Sequence, residues 1–361
     1  MYVSSLKLTN FRNFEQAEFS FDREKTAIWA DNARGKSNLL EALYFLVLSK
    51  SGRGAKDRDV LHWGADYFAL EAEIMREDHA FPIRIAYDPR VGKKQAFVNH
   101  ASLPRLSDLI GEFNAVLFSP EDVDLVLREP AQRRRILDIL VSQSSASYLS
   151  DLELYMRALA QRNRLLKDRG RALLSQPEQM FPWNTQLAEL GGRIVAHRLR
   201  ALEDIELLLN TYYQEIAPTS EKLKALYRSP VTLDDIDEGQ SILERALAEK
   251  LPQEVELRYT LTGPHRDNLV FTLDNKAAHQ FASKGQLKSV LLSWKLAEAT
   301  FLEKKTGWRP VLLMDDIFSE LDPKRSEALL NMIPAFGQII LTSARDPDLD
   351  FKAQGFHVLE L

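Results

Sequence analysis

Apolar positions change their spacing along this chain, and each change predicts a different kind of element. From Tyr2 to Leu8 and again from Ala17 to Phe21 they alternate loosely, the two-residue period of half-buried strands. Thr26 to Trp29 is a short apolar run feeding a loop at Ala30, and Asn38 to Ser49 is apolar on nearly every face, as a buried helix is. Further strands are expected at Tyr67–Ile74, Phe81–Tyr87, Ala96–Asn99 and Ala115–Phe118, with a turn at Asp88 to Gly92. From Gln132 to about Lys250 helical spacing takes over, for example at Leu152, Tyr155 and Leu159 and at Leu187, Leu190 and Ile194. Pro177, Pro182, Pro218, Pro230 and Pro252 punctuate this stretch, so several helices are expected rather than a single unbroken one. Strand character returns at Glu256–Tyr259 and at Leu269–Leu273.

The pattern predicts an α/β fold with an inserted helical lobe. The expected division is 1–135 with 256–361 for the α/β lobe and 136–255 for the helical one. Length and composition agree: 361 residues with 45% apolar content can bury a sizeable core. The absence of cysteine excludes disulfides, thiolate metal sites and cysteine nucleophiles, and suits a reducing, cytoplasmic setting. No apolar run is long enough to cross a membrane as a helix. A net charge of −5 argues against a wholesale basic nucleic-acid binder while leaving room for a local basic face.

The loop after Trp29 carries the first chemistry. Ala30-Asp31-Asn32-Ala33-Arg34-Gly35-Lys36-Ser37 has the spacing of a phosphate-binding loop and stands between a strand and a helix, the context that motif requires. Backbone N–H groups and the positive helix end would surround a polyphosphate. Lys36 would reach the β- and γ-phosphates of ATP, and the Ser37 hydroxyl would coordinate Mg²⁺. Alanine stands at positions 30 and 33, where glycine is usual; if either backbone needs positive φ, alanine costs on the order of 1 kcal/mol relative to glycine.

A second half of the site is expected far along the chain. Val311–Met314 reads as a buried strand closing on Asp315 and Asp316. Asp315 is the metal-side carboxylate, and Asp316 is the candidate to orient the attacking water. Ser283-Lys284-Gly285-Gln286 precedes a helix from Leu287 to Leu302, with Ser283 as its N-cap and a second anion-attracting helix start. Taken with Ser319-Glu320-Leu321-Asp322, this element suggests two copies of the chain clasping nucleotide between them.

These residues, together with Leu8–Phe14, Asn38–Ala42, Phe118–Asp122, Pro130–Arg134 and Thr262–Asp267, resemble the RecF family of recombination-repair ATPases, of the ABC/SMC type. The resemblance spans nearly the whole chain and preserves the order of the motifs. It implies an ABC-type ATPase head with a helical second lobe, ATP-dependent homodimerisation and slow, DNA-stimulated hydrolysis. It also implies binding to double-stranded DNA at single-strand gaps and junctions in replication, recombination and SOS repair, helping RecR and RecO to load RecA. By position, Arg12 and Asn13 would lie near the nucleotide, and Ser283 and Gly285 would touch the γ-phosphate held by the opposite subunit.

Other readings are a nucleotide-binding scaffold without turnover, motivated by Ala30 and Ala33, and a transporter ATPase subunit, which the long helical insert opposes. For DNA, Arg157, Arg162, Arg164, Lys167, Arg169 and Arg171 crowd one helical segment behind Arg133-Arg134-Arg135, either tracking phosphates or pairing with local carboxylates. His265 and Arg266 admit a catalytic or a turn-stabilising role.

Overall fold

A computed structural model describes residues 1–31, 33–119, 129–217, 219–229, 238–343, 351–352 and 354–361. Asn32, Pro120 to Asp122, Pro218 and Pro230 therefore lie outside the described residues. The chain forms two compact units. The first comprises Met1–Asp124, Thr211–Ser220 and Ser283–Leu361, and the second Leu125–Asn210 and Glu221–Ala282.

In the first unit the alternating segments form β1 (Tyr2–Phe11), β2 (Phe14–Ser20), β4 (Phe68–Arg76), β5 (His79–Asp88), β6 (Lys93–Val98) and β7 (Ala101–Ser102). They make one antiparallel sheet in the order β2-β1-β4-β5-β6-β7. The continuous apolar runs behave differently, because strands covered on both faces need no polar side. These are β3 (Lys25–Trp29), β8 (Ala115–Phe118), β12 (Val311–Asp315), β13 (Ile339–Ser343) and β14 (His357–Glu360). They pair in parallel in the order β14-β3-β13-β12-β8. The register sets Asp315 beside Thr342 and Ser343 beside Trp29, so three strands end together where the loop at Ala30 begins. The carboxyl ends of parallel strands are where open α/β sheets hold their ligands.

The helix Lys36–Leu48 follows that loop, and every residue from Leu39 to Leu48 is buried, which explains its all-round apolar sequence. Phe45 stacks edge-on against Phe11 and Phe68 with ring centroids 5.9 and 5.7 Å away, tying the helix to β1 and β4. Full burial of each such side chain stabilises by about 1.5–3 kcal/mol. This packing gives the loop ahead of Lys36 a fixed base.

The second unit holds the helices Pro130–Ser144, Ala146–Arg169 and Gly239–Leu257, and most of Phe181–Ile216. It also holds a small antiparallel sheet of β9 (Leu223–Arg228), β10 (Asn268–Leu273) and β11 (Lys276–Ala277). Two local expectations fail here. Pro252 lies inside a helix, and Glu256 and Leu257 are its last turn rather than a strand. An interior proline costs about 3 kcal/mol, but Glu254 and Val255 just beyond it are buried, and Arg258 at φ 60° ends the helix through its N–H to the Glu254 carbonyl at 2.7 Å. The expected boundary at 255 also moves. β10 pairs along its whole length with β9, which keeps residues to Ala282 in the second unit. Among the described residues no helix is long and apolar enough to cross a membrane.

Candidate nucleotide site

The loop geometry begins with Gly35, the N-cap of the Lys36–Leu48 helix, at φ 109°. A Cβ there would lie 2.5 Å from Asn13 Nδ2 and 2.9 Å from the Phe14 ring, so only glycine fits. Asn13 causes this crowding because it supports the loop: its Nδ2 donates to the Arg34 carbonyl at 3.0 Å, and its Oδ1 accepts from Asn38 at 2.8 Å. Arg34 itself points its backbone, not a buried side chain, into this contact. Ala33 has φ 67°, a left-handed conformation in an exposed position, whereas Ala30 is buried with ordinary negative φ. Of the two alanines, then, only Ala33 stands where glycine would relieve strain.

Lys36 is buried, and its ammonium donates to the carbonyl oxygens of Ala30 at 2.5 Å and Asp31 at 2.8 Å. Across the strand ends, Ser37 Oγ donates to Asp315 Oδ1 at 2.8 Å, joining residues 278 positions apart. Asp315 is 5% exposed and takes two further donors, Thr342 Oγ1 at 2.9 Å and the Arg53 guanidinium at 2.8 Å on Oδ2. Asp316 turns out of the strand at φ 46°; its N–H donates to Thr342 Oγ1 at 3.0 Å, and its Oδ2 accepts from Ser319 Oγ at 3.0 Å. Arg53 and Thr342 carry no local motif, and the sequence reading missed both.

Arg12 is committed elsewhere. Its guanidinium forks onto Glu41 at 2.9 and 2.8 Å, and Glu41, 2% exposed, also accepts from Ser51 Oγ at 2.5 Å. Arg12 thus anchors the helix behind the loop through a buried carboxylate.

Ser283 caps the helix Lys284–Thr306: its hydroxyl accepts from the Gln286 N–H at 3.3 Å, and the Gln286 side chain accepts from the Ser283 N–H at 2.8 Å. Gly285 faces Arg325, whose guanidinium would sit 3.4 Å from a Cβ at that position. Arg325 also donates to Ser289 Oγ at 2.8 Å and pairs with Asp322, while Lys288 pairs with Glu320 at 2.8 Å. The Ser283–Gln286 element and the Ser319–Asp322 step are therefore cross-linked into one surface.

The donor set fits ATP with Mg²⁺. A lysine ammonium and a helix start without a side-chain cap suit a polyphosphate, and the Ser37 and Asp315 oxygens are hard donors. Among the described residues no group of three or more His, Cys, Asp or Glu could hold a metal alone. One carboxylate plus substrate phosphates is how Mg²⁺ is usually bound.

Several arginines of the basic run in the second unit pair with carboxylates or backbone carbonyls of this chain. Arg162 is fully buried, with Nη2 2.7 Å from Glu254 Oε2, outside hydrogen-bond alignment, and true bonds to Asn184 and Thr260. Arg157, Arg164 and Arg171 pair with Glu153, Asp168 and Glu256. Arg133 and Arg134 bond Leu269 and Asp267 carbonyls at 2.6 and 2.7 Å. His265 is structural as well. Its Nε2–H donates to the Thr260 carbonyl at 3.2 Å, so Nδ1 accepts from Tyr155 at 2.7 Å, and burial pushes its pKa down to about 4. Gly263 beside it has φ 118°, and a Cβ there would strike the Tyr155 hydroxyl.

The sequence model of the RecF/RecN/SMC N terminal domain matches residues 2–358. The DNA replication and repair protein RecF of Lactobacillus delbrueckii subsp. bulgaricus is 37% identical over 98% of this chain and 93% of its own. That of Bacillus subtilis is 33% identical over 98% and 95%. A solved structure of the recombination mediator protein RecF with ATP, of the RecFOR pathway, superposes with a TM-score of 0.88 at 31% identity, over 97% of this chain and 93% of that one. An Smc head bound to a ScpA domain shares the fold at 16% identity, with a TM-score of 0.54 over 96% and 90% of the two chains. With an ABC-type ATPase fold and relatives matched over nearly their whole length, this chain belongs to the RecF family of DNA replication and repair proteins.

Proposed function

We propose that this protein is an ATP-dependent, dimerising DNA-binding ATPase of recombinational repair. It acts in the cytoplasm on duplex DNA at single-strand gaps and ss/ds junctions, assisting RecR and RecO in loading RecA. The observation that carries the ATPase reading is the Ser37–Asp315 bond beneath the phosphate loop, which unites two motifs from opposite ends of the chain at one point. In this reading the loop from Ala30 to Ser37, with Asn13 supporting it, holds the phosphates. Lys36 neutralises phosphate charge, Ser37 and Asp315 hold Mg²⁺, and Asp316 orients water. Bound Mg²⁺ would polarise the terminal phosphate.

Ser283 supports the dimer reading. Its oxygen accepts the Gln286 N–H, which leaves its O–H to donate to a phosphate presented by a second copy. A ligand completed by both subunits stabilises the dimer, and hydrolysis removes that contribution.

The test measures ATPase rate and oligomeric state together, with and without gapped duplex DNA. Lys36→Met and Asp315→Asn are expected to abolish hydrolysis. Ser283→Arg is expected to keep ATP binding while sedimenting as a monomer; a full ATP-dependent dimer in that variant would sink the dimer reading. DNA binding is expected to weaken steeply with salt. Ala33 at φ 67° favours one second reading, a scaffold that binds nucleotide without turnover. Hydrolysis that Lys36→Met abolishes would exclude it.

A further inference from the structure

Within the nucleotide site the carboxylate of Asp315 is already held by a cation of this chain. Arg53 Nη2 lies 2.8 Å from Oδ2, opposite the oxygen that Ser37 and Thr342 share. A buried carboxylate is stable only when its charge is matched and its lone pairs are bonded. The three donors together meet that condition.

The arginine is also well mounted. Its N–H donates to Ser51 Oγ at 3.2 Å, Ser51 Oγ donates to Glu41, and Glu41 is gripped by Arg12. Gly52 between them admits no Cβ, because one would lie 2.7 Å from the Tyr44 ring. The backbone at Arg53 is thus fixed to the helix that starts at Lys36, while the guanidinium itself is partly exposed and can leave.

We propose that Arg53 is a resident counter-ion that stands in for the metal at Asp315, so that a metal-bound nucleotide must displace its guanidinium on entry. The inference rests on the assignment of Asp315 to the metal under the functional reading above, and it adds a residue which that reading does not contain. Two cations cannot both sit against one buried carboxylate without mutual repulsion. Arg53 would therefore oppose metal entry and favour the metal-free state. It would have no such effect on a nucleotide that arrives without metal. A charge device of this kind makes the site selective for the complete metal–nucleotide complex only when that complex brings enough phosphate contacts to offset the lost pair.

The experiment compares ADP binding by calorimetry in Mg²⁺ and in EDTA, for the unsubstituted protein, Arg53→Gln and Arg53→Lys. The ratio of the two affinities is the readout, and circular dichroism confirms that each variant is folded. Arg53→Gln is expected to raise the ratio by about five- to tenfold, the scale of one charge-assisted bond no longer broken. Arg53→Lys keeps the charge and is expected to keep the ratio. If affinity falls equally with and without Mg²⁺ in Arg53→Gln, the arginine binds phosphate directly and the proposal is wrong. An unchanged ratio in a folded, ADP-binding Arg53→Gln protein also overturns it, while leaving the ATPase reading intact. Failure of the unsubstituted protein to bind ADP under either condition overturns both.

Discussion

Two helix starts in the first unit face the same electrostatic problem and answer it differently. The helix from Lys36 begins at a glycine in the left-handed region with no side-chain cap, while the helix from Lys284 begins at a serine closed by a full capping box. Each start leaves N–H groups without helical partners and carries positive potential. At Gly35 no side chain of the cap meets that demand, so an anion is the natural partner. At Ser283 the chain meets it internally, through Ser283 and Gln286, and needs no ligand to be stable. The first start is built around a guest; the second is a finished surface that can present a hydroxyl to one. This difference suits the proposed division of labour, in which one copy would bind nucleotide at Lys36 and the other would seal it at Ser283.

The strongest way to break this comparison is at Gly35. Gly35→Ala meets both an unfavourable φ of 109° and contacts of 2.5–2.9 Å with Asn13 and Phe14, so the loop must move. Displacing reacting groups by about 1 Å can cost roughly a hundredfold in rate, and ATP hydrolysis is expected to fall by that order. The fold should survive, because the Phe11–Phe45–Phe68 cluster behind the loop is untouched. Near-normal turnover in this variant would show that the loop has room the geometry denies.

A smaller effect is expected at the other start. Ser283→Ala removes an N-cap, a loss of about 1 kcal/mol, and should lower the melting temperature by about 2 to 4 °C. Under the dimer reading Ser283 would serve the nucleotide of another copy, so ATP affinity of the isolated monomer should not change. A fall in monomer affinity equal to that of a loop variant would erase the distinction between the two starts.

The same pair shows what the sequence could reveal. Both starts were legible because their signals are local: a strand, a small-residue loop, a lysine, or a Ser with Gln three residues on. The carboxylate step at Asp315 was legible because four apolar residues point to a buried strand end. What escaped was side-chain chemistry fixed by long-range register. Thr342 meets Asp315 only because β13 lies beside β12, and Arg53 reaches it from a loop with no motif of its own. The basic run stayed ambiguous for the converse reason. Spacing alone cannot separate Arg162, buried against Glu254, from a solvated arginine two residues away. Pro252 and Glu256–Tyr259 misled because burial of Glu254 and Val255 outweighs local propensity.

The least disruptive change tests whether the first start is tuned or merely tolerated. Ala33 adopts φ 67°, where a Cβ is disfavoured by roughly 1 kcal/mol. Ala33→Gly removes that strain from the phosphate-binding conformation, but it also widens the range of conformations open to the ligand-free loop, which offsets part of the gain. The net expectation is about 0.5 kcal/mol in favour of the bound loop, or about a twofold gain in ATP affinity, read by calorimetry. Ala30→Gly is the matched control, since Ala30 has ordinary φ and is buried, so glycine there adds flexibility and a small void without relieving anything. It should weaken binding slightly. If both variants move affinity in the same direction, backbone strain at Ala33 is not what sets the strength of the loop, and the contrast with the pre-satisfied start at Ser283 rests on Gly35 alone.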